Sequence, residues 1–354
     1  MTDASTLLSD QVFQLNTFLW ALEDLPDESQ IQPVLRQAGY YLGSIGRSVL
    51  MPRGERAIAA LTSLSGSANR SPCRPDLWLR HSSDSVQPIV ELKARGFSTD
   101  SSNRRQALKL IAASFNLAPS LAEPGERPGH VLYATTAADA DGLASTLKDL
   151  ARSLVAESVP AAPTGAIGLS LEAEGVALSS PRPVDLPTPL GAALADRPIV
   201  LRADGENEVK PLYFVPWMPG IDGSQEPELR SAGLQELTAR VLTHMLAAVG
   251  QARPPTTLML DGTRLLSAAT FGVFDQWRDT DRQEFSEAVG KIVDRALKPV
   301  VEVRRVSGDC REVDLPNAEL QDAVTDRLER ADPANPATNL ETAVEEPATL
   351  FDEL

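Results

Sequence analysis

Two short apolar runs, joined by a polar turn, constrain the fold of this chain more than any other feature. The first covers residues 75–80 and the second covers residues 88–94. In the first run Leu77 and Leu79 occupy alternate positions, which is the spacing of a half-buried strand. The second run is similarly rich in apolar residues that favour strands. The pattern therefore predicts two neighbouring strands of one sheet.

Charged residues interrupt both runs at positions that would meet in such a sheet. Asp76 follows Pro75, and fourteen residues separate it from the triplet Glu91-Leu92-Lys93. Because side chains alternate across a strand, Glu91 and Lys93 point to one face, and Asp76 can face them from the neighbouring strand. Magnesium in proteins is bound by one or two carboxylates, with waters and substrate phosphate completing its shell. The spacing therefore predicts a site for metal-assisted phosphodiester hydrolysis.

This motif resembles the signature of the PD-(D/E)xK superfamily of nucleases, whose fold is restriction-endonuclease-like. An amphipathic helix is predicted over residues 104–114, with Gln106 and Lys109 on its polar face. Many members of that superfamily carry a glutamine and basic residues at this point. Some add an upstream glutamate, for which Glu55 is the candidate. The resemblance covers about residues 30–160, less than half of the chain.

The resemblance implies a divalent-metal-dependent enzyme that hydrolyses DNA, with restriction or antiviral defence as its setting. Asp76, Glu91 and the carbonyl oxygen of Leu92 are the expected ligands of Mg²⁺ or Mn²⁺. Lys93 is expected to orient the attacking water or to stabilise charge in the transition state. The full set of expected catalytic residues is Asp76, Glu91, Lys93, Gln106 and Glu55.

Two alternatives stay open at the level of the sequence. A chain with 49 acidic and 33 basic residues contains acidic-x-lysine triplets by chance. An exposed salt bridge on a strand would have the same sequence pattern as a metal site. The paired strand, the apolar flanks and the basic helix that follows favour the metal site. The alternative function is a non-catalytic, nuclease-like scaffold or regulatory subunit that binds nucleic acid or protein partners.

Basic charge is concentrated around the motif, although the whole chain has a formal charge of −16. Residues 41–110 carry eleven lysines and arginines against five acidic residues, so this segment is +6 and the remainder is −22. A basic field around a carboxylate pair suits the approach of a phosphate, whereas a plain basic surface is the alternative. DNA contacts are expected from Arg74, Arg80, Arg95, Arg104, Arg105 and Lys109.

The order of predicted elements indicates an α/β protein with a mixed-sheet core of αβββαβ type. The first strand is not assigned, because residues 32–45 have a helix-like pattern. We expect this nuclease-like domain to span residues 1–180. A proline-rich linker is expected at residues 181–192, since residues 180–189 contain four prolines.

A second α/β domain is expected over residues 193–330, opening with a strand at 199–202. It contains no phosphate-binding glycine loop, and a sensor or partner-binding role is assigned to it by elimination. Residues 331–354 carry six acidic and no basic residues and are expected to form a disordered acidic tail, which could also bind a protein partner.

Composition limits the classes of protein to which this chain can belong. No apolar stretch approaches eighteen residues, and the first residues lack the pattern of a signal peptide, so a cytoplasmic protein without a membrane partner is expected. Cys73 and Cys310 are expected to be reduced and structural. The three histidines show no metal-ligand spacing, which disfavours zinc. Oligomeric state stays open.

Overall fold

The two apolar runs form neighbouring antiparallel strands, as predicted, in the computed structural model of the chain. The strands span Leu77–His81 and Pro88–Leu92, and Leu77 lies opposite Val90. The structure describes residues 4–23, 30–49, 55–66, 72–83, 87–97, 102–115, 129–203, 213–215 and 227–345.

The chain divides into two compact units, of which the first is Met1–Tyr213. Its described elements follow one another as α1 (Ala4–Ser9), α2 (Gln11–Leu22), α3 (Val34–Gln37), β1 (Tyr40–Ile45), α4 (Glu55–Ser65), β2 (Leu77–His81), β3 (Pro88–Leu92), α5 (Ser102–Phe115), β4 (His130–Thr136), α6 (Ala137–Ala156), β5 (Thr164–Glu172), β6 (Gly175–Ser179), α7 (Thr188–Leu194) and β7 (Ile199–Arg202).

The described strands of this unit form one mixed, seven-stranded sheet in the order β1-β2-β3-β4-β5-β6-β7. The three central strands β3, β4 and β5 are parallel, and all other neighbours are antiparallel. Parallel neighbours need a crossover connection, which α5 provides between β3 and β4 and α6 provides between β4 and β5. The predicted α/β class is confirmed.

Helix α2 forms the core on one face of the sheet. Its residues from Val12 to Leu22 are all buried, as expected for a helix that is largely apolar around its whole circumference. It contacts β3 in the middle of the sheet and also β1 and β7 at the two ends of the strand order. The sheet is therefore curled around α2.

The first strand lies within residues 32–45, where the sequence pattern predicted a helix. Helix α3 ends at Gln37, and Gly39 then adopts a φ of +90°, a conformation that glycine tolerates and other residues rarely do. The chain continues as β1, whose Leu42 lies opposite Leu79 of β2. The helix prediction was wrong because α3 is a single turn and glycine ends it.

The predicted linker at residues 181–192 lies inside the first unit. Pro183 begins a short 3₁₀ turn, α7 follows with a proline in its first turn, and Leu190 is fully buried. The strand at 199–202, which was assigned to the second domain, is β7 and pairs with β6. Proline is tolerated in the first turn of a helix, so here it marks helix starts and not a flexible linker.

The second unit, Phe214–Leu354, is also α/β. Its described elements are α8 (Pro227–Gln251), β8 (Thr256–Asp261), α9 (Gly262–Ala269), α10 (Asp279–Leu297), β9 (Val303–Arg305), β10 (Cys310–Leu315), α11 (Ala318–Glu329) and α12 (Leu340–Glu345). The three strands form a small antiparallel sheet in the order β8-β10-β9. Across the described ranges of both units, no helix combines the length and apolar character needed to cross a bilayer.

Part of the expected acidic tail is folded. Helix α12 packs against α8 and α10, and its Leu340 and Ala343 are fully buried. The Lys291 side chain donates a hydrogen bond to the Ala343 carbonyl oxygen at 3.0 Å. The prediction of disorder was therefore wrong for residues 331–345, whereas residues 346–354 lie outside the described part of the chain. A negative composition did not prevent folding because two apolar side chains reach a core.

Candidate active site

Asp76 lies directly before β2 and faces the end of β3. Its backbone carbonyl oxygen accepts a hydrogen bond from the Gly46 N–H at 3.0 Å, which fixes the chain at this point. Its carboxylate oxygen Oδ2 accepts a hydrogen bond from the Leu92 N–H at 2.6 Å. The carboxylate is therefore held against the strand that carries Glu91.

Glu91, Lys93 and Gln106 form a closed hydrogen-bonded group. Lys93 Nζ donates to Glu91 Oε1 at 2.9 Å and to Gln106 Oε1 at 3.0 Å. Gln106 Nε2 donates to the same Glu91 oxygen at 2.6 Å. Glu91 is 4% exposed and the Lys93 side chain is 12% exposed. The structure thus brings four predicted residues together: Asp76, Glu91, Lys93 and Gln106.

Burial sets the proton affinity of both carboxyl groups. Burial raises the pKa of Asp76 well above its usual range, and the Glu91 charge raises it further, while the Leu92 N–H and the Lys93 ammonium offset part of the shift. Burial also raises the pKa of Glu91, and Lys93 and Gln106 lower it by charge and hydrogen bonding. Burial and the Glu91 charge therefore both disfavour the ionised form of Asp76, and a bound cation would offset this effect.

The donor set fits a hard cation at two carboxylates. Oxygen Oε2 of Glu91 is buried and has no hydrogen-bond partner among the described residues, although Oε1 has two. The carbonyl oxygen of Leu92, the third expected ligand, already accepts a hydrogen bond from Gln11 Nε2 at 2.7 Å, so one of its two lone pairs is engaged. Within the described ranges, no group of three His, Cys, Asp or Glu side chains is arranged to hold a metal. Magnesium would therefore need waters or substrate oxygens here.

Glu55 does not join this group. It is the first residue of α4, its side chain is exposed, and among the described residues it has no hydrogen bond or ion pair with the four. Its expected catalytic role has no support in the geometry.

The six basic residues expected to contact DNA differ in exposure. Arg74 lies two positions before Asp76, is exposed, and donates to Ser48 Oγ at 3.3 Å. Arg95 is also exposed, two positions after Lys93, while Arg80 in β2 is half-buried beside Gly43 of β1. The other three are on α5: Arg104 and Lys109 are half-buried, and Arg105 is exposed.

Two glutamines of α2 were missed by the sequence analysis. Gln14 is fully buried, and its Nε2 donates to the carbonyl oxygens of Lys93 and Leu8, both at 2.9 Å. Gln11 holds the neighbouring carbonyl of Leu92. Glutamines three positions apart in a largely apolar helix were the available signal, because a buried amide needs a hydrogen-bond partner.

Cys73 and Tyr133 also border the site. Burial raises the pKa of the Cys73 thiol to about 12, with a smaller upward contribution from Glu91 and a downward one from Lys109. Burial raises the pKa of Tyr133 well above its usual range, and the Glu91, Cys73 and Asp76 charges add to this. Tyr133 does not stand out in the sequence, since it lies in an ordinary apolar strand.

Comparisons with protein-family models, with curated proteins and with solved structures find no match to this chain.

Proposed function

We propose that this chain is a divalent-metal-dependent nuclease that hydrolyses DNA phosphodiester bonds. The observation that carries the proposal is the convergence of Asp76, Glu91, Lys93 and Gln106 at the end of β3. One oxygen of Glu91 is buried there and finds no partner in the part of the chain that the structure describes. A purely structural salt bridge would be expected to satisfy that oxygen.

The arrangement of elements supports a restriction-endonuclease-like core. The succession α2, β1, β2, β3, α5, β4 matches the αβββαβ order expected of the PD-(D/E)xK superfamily, with the single turn α3 inserted before β1 and α4 between β1 and β2. The acidic pair and the lysine occupy the second and third of these strands or their ends. Helix α5, which carries Gln106, follows directly.

The chemistry assigned to each residue follows from its contacts. Asp76 and Glu91 would hold Mg²⁺ or Mn²⁺, which supplies charge at the phosphate and lowers the pKa of a bound water. Lys93 keeps its ammonium within hydrogen-bond distance of Glu91 and of Gln106, where it can stabilise negative charge on the phosphate. Gln106 fixes the lysine and the glutamate relative to each other.

DNA is the proposed substrate because the resembled superfamily acts mostly on DNA. The exposed guanidinium groups of Arg74, Arg95 and Arg105 lie close in sequence to the four site residues and would bind the phosphate backbone. Restriction or antiviral defence remains the proposed setting, with the second unit as a sensor or a partner-binding module.

The alternative is a nuclease-like scaffold without activity, and the burial of the site favours it. Glu91 is 4% exposed, and its Oε1 is fully engaged by Lys93 and Gln106. A network this closed also serves to fix the end of a strand. The two functions differ in one property, since only the nuclease requires a divalent cation at Asp76 and Glu91.

Cleavage assays with a matched lysine control test the proposal. Purified protein is incubated with linear, circular and single-stranded DNA, with and without Mg²⁺ or Mn²⁺, beside Lys93→Ala and Lys148→Ala. Lys148 is the control because it lies on α6, outside the site, where it pairs with Asp185. We expect metal-dependent cleavage that Lys93→Ala abolishes and Lys148→Ala retains. Equal behaviour of all three proteins would remove the nuclease assignment.

A further inference from the structure

Three buried oxygens on neighbouring strands lack a hydrogen-bond partner among the described residues. They are Glu91 Oε2 on β3 and the hydroxyls of Tyr133 and Thr135 on β4. Tyr133 and Thr135 are fully buried. Buried polar groups in folded proteins are nearly always satisfied by protein or by an ordered water, so a cluster of exceptions points to a bound molecule.

The register of the sheet places these groups on one face. Glu91 is the parallel-strand partner of Tyr133, and Thr135 lies two positions further along β4. Because side chains alternate along a strand, all three project to the side on which Gln106 of α5 meets Glu91. The three oxygens therefore form a continuous polar row beneath the candidate site.

The ring of Tyr133 is fixed by packing. It meets Phe97 edge to face, with ring centroids 5.5 Å apart, and belongs to the apolar cluster that α5 and α6 bury against the sheet. The hydroxyl consequently cannot swing away to solvent. The Glu91 charge contributes to the raised pKa of the Tyr133 hydroxyl, so the two groups are close. They make no direct hydrogen bond.

We propose that Tyr133 is a positioning residue of the candidate active site, whose hydroxyl holds Oε2 of Glu91 through a bound water. The inference rests on the proposed function, because it takes Glu91 to be a metal ligand. A buried water needs two to four polar partners, and the row supplies Glu91, Tyr133 and Thr135. Lys93 and Gln106 orient Oε1 of the carboxylate, and Tyr133 would orient Oε2, the oxygen left to bind a cation.

A double-mutant cycle in metal-free buffer tests the link. Tyr133→Phe, Glu91→Ala and the double variant are unfolded thermally in the presence of EDTA. If the hydroxyl acts on Glu91, Tyr133→Phe lowers the melting temperature in the wild type and loses that effect when Glu91 is absent. Additive shifts would overturn the proposal, because they mean that Tyr133 and Glu91 do not interact.

Metal affinity gives a second readout that packing alone would not move. Mn²⁺ binding is measured by calorimetry for the wild type, Tyr133→Phe and Tyr40→Phe, a buried tyrosine of β1 that serves as a matched control. Loss of a partner that orients a metal ligand weakens binding by about 10- to 100-fold, and we expect this for Tyr133→Phe and not for Tyr40→Phe. Equal affinities in all three proteins would overturn the proposal.

The two proposals fail in different ways. A wild-type protein that binds no Mn²⁺ would contradict the proposed metal-dependent function, yet the cycle in EDTA would still decide whether Tyr133 holds Glu91. A wild type that binds Mn²⁺ together with an additive cycle would contradict only the role of Tyr133.

Discussion

The side-chain amide of Gln14 donates a hydrogen bond to the carbonyl oxygen of Lys93 at 2.9 Å, across 79 positions of the sequence. Gln11 makes the equivalent bond to the carbonyl oxygen of Leu92 at 2.7 Å. Helix α2 therefore holds the backbone at the end of β3, from which the Glu91 and Lys93 side chains project. The site depends on a helix that contributes none of the expected catalytic residues.

Replacing Gln14 by alanine is expected to destabilise the protein by about 2 kcal/mol, because two carbonyl oxygens lose a buried amide donor. Metal-dependent cleavage should fall as well, since the end of β3 loses its anchor. Urea unfolding and initial cleavage rates measure the two effects. Thr17→Val is the control: Thr17 is equally buried, but its hydroxyl bonds only to Phe13 of its own helix. A Gln14→Ala protein as stable as Thr17→Val would show that the α2 anchor is dispensable.

Replacing Asp76 by asparagine is expected to stabilise the metal-free protein while abolishing metal binding. The half-buried aspartate resists ionisation, whereas asparagine is neutral and its Oδ1 can still accept the Leu92 N–H. We expect the melting temperature in EDTA to rise by about 2 °C or more, as for a gain near 1 kcal/mol. Calorimetry with Mn²⁺ should show no binding. A lower melting temperature would mean that the charged carboxylate stabilises the fold.

The same raised pKa predicts how the stability of the metal-free protein depends on pH. An acid whose pKa is higher in the folded than in the unfolded state contributes stability fully below its unfolded pKa, about 3.9 for aspartate, and loses it as the pH rises through the folded value. The advantage of Asp76→Asn over the wild type should therefore grow from pH 4 towards pH 8. Melting temperatures of both proteins in EDTA at several pH values measure the difference, and a constant difference would contradict the assignment.

The two cysteines are expected to react at very different rates. Cys73 is 5% exposed with its pKa raised to about 12, so both access and thiolate formation are suppressed. Cys310 is half-buried and should react more readily, although burial and two nearby aspartates raise its pKa too. Labelling with a chromogenic disulfide should modify one thiol in the native protein and two in denaturant. Rapid release of two equivalents without denaturant would contradict the burial of Cys73.

Leu340→Ala is expected to destabilise the second unit by about 2–5 kcal/mol, the usual range for removing a fully buried leucine side chain. The same substitution in a disordered tail would leave the stability unchanged, because the leucine would have no packing contacts to lose. Val306→Ala, at a residue that is 55% exposed in the same unit, should change stability by less than about 0.5 kcal/mol. Thermal unfolding of both variants gives the comparison. Equal stabilities would contradict the packing of residues 331–345 against the rest of the second unit and would support a disordered tail.

Local pattern was sufficient for elements whose signal is contained in a few residues. Alternating apolar positions predicted β2 and β3, and the triplet around Leu92 set Glu91 and Lys93 on one side of a strand. The amphipathic pattern that predicted α5 was equally local. Gln106 was assigned from the resemblance to the PD-(D/E)xK superfamily, many members of which carry a glutamine on the helix after the lysine strand.

Tertiary structure decided which distant groups meet. Gln11, Gln14 and Tyr133 acquire roles only when α2 and β4 reach β3, and no short window of sequence contains those contacts. The same holds for β7, which completes the first sheet beyond a proline-rich segment, and for α12, whose acidic composition conceals two core residues. The sequence by itself determined the strands and the acid-lysine motif, because their periodicity is local. Burial, and with it the raised pKa of Asp76 and the enclosed Oε2 of Glu91, was decided by packing between segments far apart in the chain.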